Sequence, residues 1–152
     1  MKNILLIVLL LFSLCSFSQK QNKRVLHFNL EQKLAIQGYD PVAYFKQGKA
    51  VKGKKEIAAM YDGVVYYFSM SVNKDYFLNS PSKFEPQYGG WCAFAMGDSN
   101  EKVSVNPETF KIIDGKLYLY YNAFFNNTLK SWNKNEPTLK KKADANWNQM
   151  IK

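Results

Sequence analysis

The most unusual combination of residues for chemistry lies in one segment, 86–97, which reads Pro-Gln-Tyr-Gly-Gly-Trp-Cys-Ala-Phe-Ala-Met-Gly. Cys92 and Met96 are four residues apart, so a helix would place both sulfur atoms on one face. Thiolate and thioether are the ligands that Cu(I) prefers. The segment therefore predicts a soft-metal site at Cys92 and Met96, or a piece of the core if both side chains only fill space.

The residues around Cys92 favour two opposite chemical states of its thiol. Gly89 and Gly90 lack side chains and could open a shallow site beside the sulfur. If a helix begins at Trp91, Cys92 lies in its first turn, where the helix dipole favours the thiolate. Crowding by Trp91 and Phe94 would instead bury the sulfur and favour the neutral thiol. An exposed thiolate would indicate redox chemistry, whereas a buried thiol would indicate a structural role.

Other catalytic groups are few. The only histidine, His27, could serve as a third ligand or as a partner of Cys92, although a surface or strand position is the more ordinary interpretation. The chain has no HExxH, CxxC or glycine-rich phosphate motif. A structural zinc site needs four ligands, so it is not expected here. The sequence leaves enzymatic activity open but favours a non-enzymatic protein, and it identifies no cofactor, with a soft metal ion such as Cu(I) as a candidate.

The N-terminus has the pattern of an export signal. Lys2 precedes the uncharged run Ile4–Phe12, which is shorter than the roughly 20 residues of a membrane span. Ser16-Phe17-Ser18 follows as a small-x-small cleavage pattern. We therefore expect residues 1–18 to be a removable signal peptide and the protein to be periplasmic or secreted. A retained anchor and lipidation at Cys15 are the alternatives.

Removal of residues 1–18 would leave 20 basic and 12 acidic residues, a formal net charge of +8. The basic residues are scattered lysines, with Arg24 the single arginine, so nucleic-acid binding is not expected. Cys92 would be the only cysteine, which excludes an internal disulfide. We expect residues 19–33 to form a tether and 34–152 to form one domain, with a metal ion or an envelope protein as its partner and no transmembrane span after signal cleavage.

Two Asp-Gly pairs predict hairpins. Asp62-Gly63 and Asp114-Gly115 each separate two runs rich in β-formers, and a type I′ turn needs positive φ at both central residues. A further strand is expected at 102–105, followed by a turn at Asn106-Pro107. The predicted fold is α+β, a small antiparallel sheet built from both hairpins and this strand, covered by short helices.

Helix signals fill the remaining segments. Asp40-Pro41 and Ser80-Pro81 each have an N-cap residue before a proline, and Asn73 is a candidate cap for a helix that would turn Tyr76 and Phe77 inward. Two further runs have helical spacing. They are Tyr121, Phe125, Thr128, Leu129 and Trp132, and the C-terminal stripe Leu139, Ala143, Trp147 and Ile151. The stripe predicts an amphipathic helix packed on the domain or lying on a membrane surface.

Several ordered motifs within 34–147 resemble the YHS domain family, in particular its small exported bacterial members. They are Ala35-Ile-Gln-Gly-Tyr-Asp-Pro-Val-Ala-Tyr-Phe45, Val65-Tyr-Tyr-Phe-Ser69, Asn79-Ser-Pro-Ser-Lys-Phe84, Tyr88-Gly-Gly-Trp-Cys-Ala93 and Asp114-Gly-Lys-Leu-Tyr-Leu119. YHS domains accompany heavy-metal transporters and metal-dependent enzymes, so the resemblance implies a metal-handling association. We expect six residues to shape the site around Cys92, Met96 and His27: Tyr39, Asp40, Tyr88, Gly89, Gly90 and Trp91.

The chain also departs from the metal-associated members that it resembles. Those members carry one cysteine after the Tyr-Asp-Pro-Val run and two after the aromatic strand, and this chain has Ala43, Ser69 and Asn73 there. The resemblance therefore implies an exported, non-enzymatic binding module, with soft-metal handling confined to the neighbourhood of Cys92. A thiol-redox protein that uses Cys92 and a structural or protein-interaction domain of the cell envelope are the alternatives.

Overall fold

The computed structural model describes residues 23–152, so the predicted signal peptide and residues 19–22 lie outside the described residues. Its largest sheet has four strands in the order β1-β2-β4-β3. The strands are β1 (Leu30–Glu31), β2 (Leu34–Ala35), β3 (Lys54–Tyr61) and β4 (Val64–Phe68). All pairs are antiparallel except β2 with β4. β4 is interior to the sheet, with Val64, Tyr66 and Phe68 buried on one face and Val65 and Tyr67 half-buried on the other.

The second Asp-Gly hairpin forms a sheet of its own. It comprises β5 (Asn106–Ile113) and β6 (Lys116–Tyr120), and a third, very small hairpin follows with β7 (Asn122–Ala123) and β8 (Asn126–Asn127). The α+β class and both Asp-Gly hairpins are confirmed, but the single antiparallel sheet is wrong. β6 lies instead beside segment 86–92, through the bridges Pro86–Leu117 and Cys92–Leu119.

The strand predicted at 102–105 is also absent from the structure. The carbonyl of Val103 accepts from the Cys92 N–H at 2.9 Å, and that of Val105 accepts from the Gln37 side chain at 3.0 Å. These backbone groups are therefore satisfied without a strand partner. Asn106-Pro107 begins β5 rather than a turn, at the point where the register of β5 against β6 shifts.

Seven α-helical segments surround the sheets in the described residues: α1 (23–27), α2 (Ala43–Lys46), α3 (Ser71–Asn79), α4 (Pro81–Phe84), α5 (Ala93–Asp98), α6 (Thr128–Trp132) and α7 (Glu136–Met150). Asn73 lies inside α3 with a buried side chain, so it is not the predicted cap, and Tyr76 is exposed rather than inward. The 121–132 helix is wrong as well, because 121–127 contains the third hairpin and only α6 is helical. In this described part, no helix combines the length and apolarity needed to cross a membrane.

Two apolar clusters make up the core. One surrounds the four-stranded sheet and contains Tyr66, Phe68 and Phe77. The other contains Tyr118, Trp132 and two residues of the predicted C-terminal stripe, Leu139 and Ala143. The stripe therefore packs on the domain, as its commoner interpretation predicts, with Ile151 at its end 38% exposed.

The described part of the predicted tether, 23–33, is packed against the domain. Arg24 forms an ion pair with Glu85 and lies over the rings of Phe28 and Tyr61 at 4.5 and 5.2 Å. Asn29 donates its backbone N–H to the Gly89 carbonyl at 2.9 Å. The folded unit therefore includes residues 23–33, which the sequence analysis assigns to a tether.

Candidate functional site

Cys92 is completely buried, and its sulfur is engaged in a closed chain of hydrogen bonds. Sγ accepts from the backbone N–H of Tyr121 at 3.3 Å and lies 3.4 Å from Thr128 Oγ1. The Thr128 hydroxyl donates to the Tyr121 carbonyl at 2.9 Å. When the Thr128 hydroxyl is oriented toward this carbonyl, the Cys92 thiol donates to Oγ1; when it turns to sulfur, Thr128 is the donor. The buried sulfur thereby links Cys92 to both Tyr121 and Thr128.

Met96 lies four residues after Cys92 in the sequence, but the two side chains belong to different apolar clusters. The Met96 N–H donates to the Cys92 carbonyl at 3.0 Å, yet Cys92 packs with the first apolar cluster and Met96 with the second. The condition of a helix that begins at Trp91 is not met, since α5 begins at Ala93 and Cys92 precedes it with φ −59° and ψ 117°. A side chain outside the helix does not follow the helical i, i+4 geometry, so the shared face is lost.

His27 lies at the end of α1, at the surface. Its Nδ1 is 3.4 Å from Lys102 Nζ, and the sulfur of Cys92 has its contacts with Tyr121 and Thr128 instead. Partial burial, with Lys102 and Lys23 nearby, holds the pKa of His27 below its usual value. His27 lines a cleft of about 450 Å³ together with Phe28 and Trp147. Among residues 23–152, no three His, Cys, Asp or Glu side chains are grouped so that they could hold a metal ion.

The Tyr88-Gly89-Gly90 run has left-handed backbone throughout, with φ of 54°, 59° and 86°. A Cβ on Gly89 would lie 2.8 Å from Cδ1 of Phe28 and 3.0 Å from Trp147, so this glycine admits close packing and does not open a site beside Cys92. The Tyr88 hydroxyl donates to Asp144 at 2.9 Å. Burial and this hydrogen bond raise the pKa of Tyr88 above its ordinary value.

Trp91, the next residue, joins the N-terminal segment to the same region. Its Nε1–H donates to the carbonyl of His27 at 2.7 Å. Tyr88, Gly89 and Trp91 therefore hold the N-terminal segment and α7 together. They shape the fold around 86–92 rather than the surroundings of the Cys92 sulfur.

Asp40 is the centre of a second polar cluster, fully buried beside the end of β4. Oδ1 accepts from the N–H groups of Val42 and Ala43, at 2.9 and 3.3 Å. Oδ2 accepts from the N–H and hydroxyl of Ser69 and from Asn73 Nδ2, all at 2.7 Å. This carboxylate thus joins α2 to the start of α3.

Ala43, Ser69 and Asn73, which the YHS resemblance compares with cysteine positions, all donate to the carboxylate of Asp40, Ala43 only through its backbone N–H. Neighbouring Tyr39 points outward instead, donating to Glu108 at 3.2 Å with Lys52 Nζ 4.1 Å from its ring centroid. The cluster presents N–H and O–H donors to an anion, and such a donor set does not suit a cation.

The most exposed large apolar residues in the described part of the chain lie outside every site that the sequence predicts. We call residues 122–127 the Phe hairpin, and its tip consists of Phe124 and Phe125, which have 91% and 112% of the reference exposure. Both tip residues have positive φ, 49° and 63°, in a two-residue turn where asparagine and glycine are the usual choice. Left-handed backbone costs a residue with a side chain about 1 kcal/mol.

Cys92 holds the base of the Phe hairpin. Tyr121 directly precedes β7 and Thr128 directly follows β8, and the Thr128 N–H donates to the Tyr121 carbonyl at 3.0 Å. The sulfur contacts both residues, so the buried thiol fixes the point from which the hairpin projects. The asparagines at 122, 126 and 127 are the sequence signal for a turn here, because asparagine tolerates turn conformations.

Comparison with models of protein families, with curated proteins and with solved structures finds no match to this chain. The resemblance to YHS domains thus stays a prediction that depends on the motifs alone. Function must be argued from the geometry of the described residues.

Proposed function

We propose that this protein is an exported, non-enzymatic binding module of the YHS kind, in which Cys92 serves the fold. The observation that carries the proposal is the closed chain of hydrogen bonds through the Cys92 sulfur, Thr128 and Tyr121. The thiol belongs to the support of an exposed aromatic hairpin. Binding by the surface, rather than chemistry at sulfur, is the activity that this arrangement supports.

The same geometry argues against the redox alternative. A redox thiol reacts as the thiolate and must meet its partner's sulfur in line. The Cys92 side chain has no solvent exposure, so a partner sulfur cannot reach it in the folded protein. The access that redox chemistry needs is therefore blocked.

Soft-metal handling at Cys92 has little support either. A Cu(I) ion needs at least two soft ligands, and Met96 packs in a different apolar cluster from Cys92. The side chains of Ser69 and Asn73 meet at Asp40, together with the backbone of Ala43, and this grouping supports the relation to YHS domains. Because a carboxylate occupies that point here, we expect the cluster to stabilise the fold.

A Cu(I) titration tests this proposal. Adding Cu(I) against a chromophoric competing chelator under reducing conditions, we expect no one-to-one binding that depends on Cys92. The Cys92→Ser variant should give the same curve as the natural protein, including any weak binding by the exposed Met60 and Met70. One tight equivalent that disappears in Cys92→Ser would overturn the proposal, and loss of that equivalent in Met96→Leu would identify the second ligand.

A further inference from the structure

We propose that the Phe hairpin docks this protein on an anionic lipid surface by inserting Phe124 and Phe125. The inference rests on the proposed function, since it names the partner of the binding module. It depends on four features of the hairpin: the exposure of its tip, the strain of its backbone, its attachment to the core and the charges along the neighbouring sequence.

The tip offers apolar area with no charge to desolvate. Phe124 and Phe125 are more exposed than any other large apolar residue described, at 91% and 112% of the reference. Their neighbours in the Phe hairpin are Asn122, Ala123, Asn126 and Asn127, all uncharged. Phenylalanine enters the boundary between headgroups and acyl chains favourably, and the asparagine side chains can remain hydrated at that depth.

The backbone of the tip is unfavourable for the residues that occupy it. Phe124 and Phe125 both have positive φ, which an Asn-Gly pair would adopt with less strain. Folding alone gives no reason for phenylalanine at these two positions, because neither side chain packs on the domain. Strain of this kind is characteristic of functional positions.

The hairpin is mounted firmly enough to hold the tip outward. Besides the contacts of Cys92 with Tyr121 and Thr128, Asn122 Nδ2 donates to Thr109 Oγ1 in β5 at 3.0 Å. Asn127 Oδ1 accepts from the Leu129 N–H at 3.1 Å and so caps α6. Both strands of the hairpin are thereby attached to the core, and little ordering entropy remains to be lost on docking.

The basic residues along the sequence around the hairpin favour an anionic surface. Between Asp114 and Glu136 the chain has no acidic residue and three lysines, Lys116, Lys130 and Lys134. The whole sequence has a formal net charge of +9. Each lysine near an anionic leaflet adds attraction that decreases with salt.

A lipid surface fits the tip better than a protein partner does. Stable protein interfaces bury about 1,200–2,000 Å² in total, with an apolar centre and a polar rim. Two phenylalanines on a projecting turn between asparagines provide no such centre. Shallow insertion into a bilayer requires only a small apolar tip and a favourable electrostatic field.

The test measures partition of the protein, as the producing cell makes it, onto vesicles of phosphatidylglycerol and phosphatidylcholine in equal parts. We expect Phe124→Asn/Phe125→Gly to weaken partition about tenfold or more, from the loss of two inserted rings. The double variant provides the Asn-Gly turn that the backbone favours, so its Tm should equal or exceed that of the natural protein. Met60→Ser, at another exposed apolar residue, is the matched control and should partition unchanged.

A second readout reports on the tip itself, whatever the state of residues 1–18. In the Phe124→Trp variant, bromine-labelled acyl chains should quench the introduced tryptophan on anionic vesicles and much less on pure phosphatidylcholine. If the fluorescence of this tryptophan is not quenched, or if the Asn-Gly variant partitions equally, the lipid proposal is overturned while the binding module is untouched. A reactive Cys92 would overturn the proposed function whatever the vesicles show.

Discussion

Replacing Asp40 by alanine should lower the free energy of unfolding by about 4 kcal/mol, because it removes the acceptor for five hydrogen bonds in a buried site. The donors come from Val42, Ala43, Ser69 and Asn73, and burial prevents most of them from reaching solvent. Water that enters the vacated space can satisfy some of them, which keeps the loss below the sum of five separate penalties.

Urea denaturation of the natural protein and of Asp40→Ala measures this effect. Asp75→Ala is the matched control, since Asp75 is an exposed aspartate of α3, and its change should stay within about 0.5 kcal/mol. An Asp40→Ala protein as stable as the control would show that the cluster does not join α2 to α3 as described.

Replacing Gly97 by alanine should also destabilise the protein strongly, by about 3 kcal/mol. A Cβ on Gly97 would lie 2.4 Å from the backbone oxygen of Leu139, so α5 and α7 would have to move apart. Helix propensity alone predicts the opposite sign, a gain of about 1 kcal/mol for alanine inside a helix. The contact with a backbone atom decides the outcome, because a backbone atom cannot rotate away.

Gly115→Ala separates this steric effect from the general cost of losing a glycine. Gly115 has φ +70°, and no atom lies within 4 Å of the place that an added methyl group would take, so only backbone strain of about 1 kcal/mol is expected. Thermal unfolding of both variants gives the comparison. A Gly97→Ala protein that melts above the natural one would mean that α5 and α7 are farther apart than the structure has them.

The sequence predicts those elements whose signals are local. Asp62-Gly63 and Asp114-Gly115 adopt positive φ in their hairpins, and Leu139 and Ala143 face the core. The pairing of the hairpins into one sheet could not be predicted in this way. It depends on segment 86–92 lying beside β6, a contact between distant parts of the chain.

The role of Cys92 could not be predicted from the sequence for the same reason. The residues around Cys92 mark it as important, but its role depends on Tyr121 and Thr128, which are 29 and 36 residues away. Phe124 and Phe125 have no sequence signal of their own, because the spacing of Phe125, Thr128 and Trp132 also fits a helix. Only the hairpin geometry shows that both phenylalanines face solvent.

The central claim, that Cys92 supports the fold and does no chemistry, is tested most directly by alkylation of the native protein. Iodoacetamide is added at pH 7 to 9, and peptide mass spectrometry locates the label on the peptide that contains Cys92. We expect no labelling of Cys92 until denaturant unfolds the protein, because the sulfur is buried and hydrogen-bonded to Tyr121 and Thr128. Labelling of native Cys92 as fast as a free thiol would contradict the account.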